Sequence, residues 1–144
     1  MQRQMEIYNE MLNAGVMLHA GSYHLGGDTD ALTIKMDERF AVFLDIEKIR
    51  TAVQELEATS HEWAHIEDDA TYGVDAPYWL VQRAETKAER SQIRRIVPFD
   101  ELQSMVVSGQ SEWEIAEQLC VSVPFLRKAI EYYTGPCGLT FRRS

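Results

Sequence analysis

Between Ala31 and Leu44 the hydrophobic rhythm of the chain changes, and that change limits the fold more than any other feature. Leu32, Ile34 and Met36 alternate with Thr33 and Lys35, the period-2 signature of a half-buried strand. A short polar break at Asp37-Glu38-Arg39 separates it from a second β-rich run, Phe40 to Leu44, so the two read as a hairpin. On either side the spacing is helical. Met5, Tyr8, Met11 and Leu12 place a helix over Gln2 to Asn13, with Gly15 where a helix-ending glycine belongs and a short strand over Val16 to His19. Gly21 to Asp30 is a turn-rich loop. Asp45 is the expected N-cap of the next helix. Ile46, Ile49, Val53, Leu56 and Trp63 carry that helix for roughly twenty residues, to Asp68 or Asp69, without a full capping box.

A further helix is predicted over Tyr78 to Ile96, stopped by Pro98. Three short helical pieces follow: Phe99 to Val107, Glu112 to Leu119 behind an S-x-x-E box at Ser111, and Val123 to Tyr133 behind Ser122. The expectation is an α+β fold, mostly helical, with a small antiparallel hairpin or sheet.

The chain has 144 residues, 45% of them hydrophobic and 26% charged, which fits one globular unit or one with a small appendage. No run approaches the ~18 apolar residues that span a bilayer, and MQRQMEIYNE lacks the apolar core of a secretory signal. Cys120 and Cys137 are too few for a disulfide scaffold or a four-cysteine zinc knot. A cytoplasmic protein with no membrane association is expected. The net charge of −9 repels phosphate backbones and argues against direct nucleic-acid binding.

The chemistry-bearing stretch is His61-Glu62-Trp63-Ala64-His65. Histidines four apart on a helix share a face and can share one ion. Neutral imidazoles suit Zn²⁺, which takes about three protein ligands in a catalytic site and keeps one position for water. Zinc lowers the pKa of that water toward ~7, and Glu62 is placed to accept its proton. With four histidines in the chain, H-E-x-x-H arises by chance about one time in a hundred, before a helix is required. A third ligand must come from elsewhere. Asp68 and Thr71 stand where a metzincin would carry its glycine and third histidine, which excludes that subclass. His19 and His24 lie in the glycine-rich segment and read as loop histidines. Glu85 and Glu89, one turn apart on the following helix, are equal candidates by spacing, with Asp68, Asp69 and Asp75 behind them.

These residues resemble the ImmA/IrrE family of small zinc metallopeptidases of bacteria, prophages and mobile elements. The likeness lies in three blocks: the strand pair leading into SHEWAHIED, the stretch AETKAERSQIRRIVPFDEL, and the C-terminal SEWEIAEQLCVSVPFLRKAIEYY. In the second block Glu85, Ala88, Pro98 and Leu102 match the family's E-x-x-A stretch and its tail. The resemblance implies that Glu85 is the third zinc ligand beside His61 and His65, and that Glu62 is the general base. It implies a metallopeptidase core over residues 1–98 with a helical unit, 99–144, packed on it. It also implies an endopeptidase that cleaves a transcriptional repressor or other regulatory protein. The chain departs from the family at Trp63-Ala64, where Trp63 is expected to narrow the cleft, and at Ser91-Gln92.

Tyr72 and Tyr78 lie between the ligand segments and are candidate oxyanion donors, although a buried or capping tyrosine is the default reading. Arg83, Lys87, Arg90 and Arg94 form a basic stripe on a different face from Glu85, by default a solvated one, otherwise a hold for an acidic substrate surface. Ile115 to Ile130 has helix-turn-helix spacing, yet only Arg127 and Lys128 stand on its second helix to meet DNA, so a packing or docking unit is expected. Cys120 holds the turn position where glycine is commoner, and Cys137 is expected in a mobile tail. The competing function is a metal-stabilised module that binds and antagonises a repressor without cutting it.

Overall fold

The computed structural model describes residues 2–69 and 71–142. Six helices and three strands follow in the order α1 (Gln2–Asn13), β1 (Met17–Gly21), β2 (Ala31–Met36), β3 (Arg39–Asp45), α2 (Ala52–Glu67), α3 (Tyr78–Ile96), α4 (Phe99–Val107), α5 (Glu112–Leu119) and α6 (Val123–Thr134). The fold is α+β. β2 and β3 form the hairpin around a turn in which Asp37 has φ +56°. The sheet is mixed, which corrects the antiparallel expectation: β1 pairs parallel with β3, Met17 opposite Ala41 through Gly21 opposite Asp45, giving the order β1-β3-β2. β2 is therefore an edge.

Alternation in a strand normally points its apolar side chains inward. Here the period is as expected but the faces are exchanged. Ala31 is buried and Thr33 half-buried on the side toward α2, whereas Leu32, Ile34 and Met36 are 41%, 39% and 47% exposed on the other side. Small side chains on the inward face let α2 come close to the sheet.

α2 begins later than the sequence reading puts it. Asp45 is buried and its carboxylate accepts the Glu47 amide at 3.0 Å, closing a turn, while Ile46 is 56% exposed. The helix is capped by Thr51, whose hydroxyl accepts the Gln54 amide while the Gln54 side chain accepts the Thr51 amide. Leu56, Ala58, Trp63 and Ala64 are buried along it. Each large apolar side chain so placed contributes about 1.5–3 kcal/mol. Trp63 belongs to this core and does not border the cleft that His61 and His65 line, so the expected narrowing there is absent.

One continuous cluster joins Ile7 and Met11 of α1, Val42 of β3, Trp63 of α2, Ile93 and Ile96 of α3, Leu102 of α4 and Leu126 of α6. Polar ties follow it. Gln92 is buried and donates to the Glu57 carbonyl at 2.7 Å and to Ser60 Oγ at 3.0 Å, fixing α3 on α2. The Glu57 carboxylate accepts from the Ser122 amide and hydroxyl, and the Tyr133 hydroxyl donates to the Val97 carbonyl at 2.7 Å. Cys120 ends α5 with φ +59°, the left-handed value that glycine adopts most freely. Cys137 is exposed but not in a loose tail: its amide donates to the Tyr132 carbonyl, and Phe141 stacks on Phe99. Among the described residues no helix is long and apolar enough to cross a membrane.

Candidate metal centre

α2 presents His61 and His65 one turn apart, and α3 brings Glu85 against both. His61 Nε2 and His65 Nε2 are 3.2 Å apart. Glu85 Oε2 lies 3.1 Å from the first and Oε1 3.3 Å from the second. These three residues form the described His/Cys/Asp/Glu group able to hold an ion. Ligand atoms about 2.0–2.1 Å from a tetrahedral ion sit about 3.3 Å from one another. The imidazole pair has that separation, the two contacts to Glu85 use different carboxylate oxygens, and one donor atom from each residue lies within 4.8 Å of the others, so the three can converge on one ion. Two imidazoles with one carboxylate are a donor set that suits zinc.

Glu89, the equal candidate by spacing, points away and pairs with Lys128 at 3.2 Å. Asp69 pairs with Lys35, and Asp68 accepts from the Ser91 hydroxyl. Asp75 is exposed and does not border the cleft. His19 stacks on Phe43, and His24 sits 3.9 Å from Glu47.

Glu62 faces the same cleft, a space of about 380 Å³ bounded by α2, Tyr72, Glu85 and the start of β2. It is 8% exposed, and its Oε1 accepts the Thr33 hydroxyl at 2.8 Å. Burial pushes its carboxyl above the usual range, against the opposing pull of His61 and the Thr33 hydrogen bond. A carboxylate with a raised pKa is better matched to proton transfer near neutrality. Glu85 behaves oppositely: hydrogen bonds from His61, His65 and Tyr72 hold it well below the carboxylate range despite partial burial. Burial presses His61 down, but Glu85 and the charge of Glu62 outweigh this and raise it. The site thus keeps the Glu85 anion and favours positive charge on His61.

No family model, curated protein or solved structure matches the chain. The chemistry rests on the donor geometry.

Tyr72 is neither buried nor a cap. Its hydroxyl donates to Glu85 Oε1 at 2.6 Å and its ring stands edge-on to His65, while Tyr78 is 78% exposed and outside the cleft. The bond to Glu85, then burial, pushes the Tyr72 hydroxyl up to about 12, so it stays protonated at neutral pH. Thr33 is a site residue that sequence reasoning missed. It lies 29 positions from Glu62, and a threonine in an alternating strand gives no sign of its partner.

Proposed function

We propose that the chain is a zinc-dependent endopeptidase whose HExxH helix is α2, acting on a regulatory protein such as a transcriptional repressor. The observation that carries this is the convergence of His61, His65 and Glu85 in one cleft with the buried carboxylate of Glu62 beside them. The resemblance to ImmA/IrrE peptidases points the same way. His61, His65 and Glu85 would hold the ion, which when bound supplies Lewis acidity and brings the pKa of water toward ~7. Glu62 takes the proton of the attacking water and passes it to the departing amine, and Thr33 keeps its carboxylate aimed at the cleft. Tyr72, protonated and at the rim, becomes the donor for the carbonyl oxygen by turning its hydroxyl from Glu85, its acceptor in the structure, as charge builds on that oxygen.

β2 is one of the two edge strands of the sheet and its first residues border the cleft, so an extended segment can lie along it as an added strand. α5 and α6 serve as a docking unit and not a DNA reader. The two cations on that second helix are already engaged, Arg127 with Glu112 at 2.7 Å and Lys128 with Glu89.

The test is elemental metal content of purified wild type beside Glu85→Ala, followed by digestion of candidate repressors. Near one zinc per chain, lost in the variant, with cleavage abolished in Glu62→Gln, supports the reading. Wild type that takes up no zinc when supplied with it refutes it. Zinc binding and repressor inactivation that persist unchanged in Glu62→Gln would leave the non-cleaving module.

A further inference from the structure

The basic stripe on α3 is not absorbed by the cleft. Arg83, Lys87, Arg90 and Arg94 are all exposed, on the side of α3 away from Glu85. In a chain of net charge −9, Arg3, Lys35, Arg95, Arg127 and Lys128 each have a carboxylate partner. None of the four stripe cations forms an ion pair with a described carboxylate. Lys87 donates to the Asp68 carbonyl, Arg94 to the Tyr132 and Ser91 hydroxyls, and Arg90 lies over the Tyr132 ring. Like charges at three- and four-residue spacing oppose helix formation, and no ion pair with a described carboxylate offsets that cost. At its head Trp79 is 64% exposed, and the stripe and Trp79 together line a shallow groove of about 550 Å³.

We infer that this groove is a second contact site for an extended acidic segment of a partner protein, with an apolar residue over Trp79 and carboxylates along Arg83 to Arg94. The inference rests on the protein-substrate reading above and supplies a feature of that substrate. The fifteen helical steps from Trp79 to Arg94 rise about 22 Å, the span of about seven extended residues. Planar guanidiniums suit carboxylates, and an unpaired field of one sign speeds capture of its opposite. Duplex nucleic acid fits poorly, because Glu89 and Glu131 border the adjoining groove around Tyr132 and the remaining surface is strongly acidic.

The experiment is fluorescence anisotropy with the full chain and a fluorescein-labelled peptide of one leucine followed by five glutamates, at low salt. Saturable binding is expected, weakened at least tenfold by Arg83→Glu with Lys87→Glu, and absent for the peptide with glutamines in place of glutamates. Should the reversed pair disturb folding, Arg83→Gln with Lys87→Gln must still weaken binding several-fold. Trp79→Ala must weaken the leucine peptide more than the same peptide carrying glycine at that place. Absence of binding to wild type, equal affinity in the charge variants, or tighter binding of a 12-base-pair DNA duplex overturns the inference. No cleavage is read, so a chain that held no zinc would leave this result standing on its own.

Discussion

Glu85→Gln is the perturbation that separates a metal ligand from an ordinary ion-pair partner. The substitution keeps the shape of the side chain and removes its charge. Glu85 accepts from Tyr72 and faces both imidazoles, with 36% of its side chain exposed. At that exposure solvent screening limits the charge contribution to about 1 kcal/mol or less. Without added metal, wild type and variant are therefore expected to melt within a few degrees of each other. With zinc at a hundredfold over the wild-type dissociation constant, linkage predicts about 2.7 kcal/mol of stabilisation. For a chain of this size that is roughly 5–10 °C in Tm. The variant, with two imidazoles and no anionic donor, should show a small fraction of that rise at the same zinc concentration. Differential scanning fluorimetry across a zinc series, with a chelator as the zero point, measures both quantities. Equal zinc-induced shifts in the two proteins would refute the assignment of Glu85. No shift in wild type would refute the site.

Three further outcomes follow from the packing. Gln92→Ala removes the buried amide that bonds the Glu57 carbonyl and Ser60 and should cost about 1–3 kcal/mol in urea unfolding; an unchanged midpoint would mean α2 and α3 are held otherwise. Tyr133→Phe leaves the Val97 carbonyl without its buried donor and should cost about 1–2 kcal/mol, with the packing on Phe99 kept. Burial raises the Glu57 carboxyl above its ordinary value, against the Ser122 hydrogen bonds. A raised carboxyl stabilises the fold while protonated and loses that contribution as pH climbs through its folded value. The stability of Glu57→Gln relative to wild type should therefore rise with pH from about 4.5 upward and then level off. A flat or falling difference in urea midpoints would contradict it.

Where local chemistry decides structure, the sequence was easy to read. Gly15, Pro98, the Ser111–Glu114 box and Ser122 mark helix ends that the structure places within a residue or two of expectation. His61 and His65 share a face because a step of four residues only slightly overshoots one helical turn. Where two local solutions compete, reading failed. Asp45 and Thr51 are both good caps, and the apolar Ile46 and Ile49 favoured the earlier one. Thr51 prevails because Gln54 completes its box. Period 2 fixes that a strand alternates, not which side meets the core. The inward choice of Ala31 and Thr33 depends on how close α2 lies, and Thr33 meets Glu62 only across that tertiary contact. The choice of Glu85 over Glu89 needed the packing of α3 on α2. Spacing alone could not give it, although the family resemblance did.

The donors come from two helices joined by the segment through Gly73 and Pro77. An ion gripping both would be a cross-link that closes a ring of about twenty residues between His65 and Glu85, as a disulfide might. Chain entropy lost on closing such a ring grows only with the logarithm of its length, so doubling the connection would cost about 0.6 kcal/mol. The connection is thus nearly free to lengthen while the clasp persists, provided Tyr72 keeps its place against Glu85. What cannot drift is the seat of α3 on α2, which Gln92 holds two turns along α3 from Glu85, on the same face.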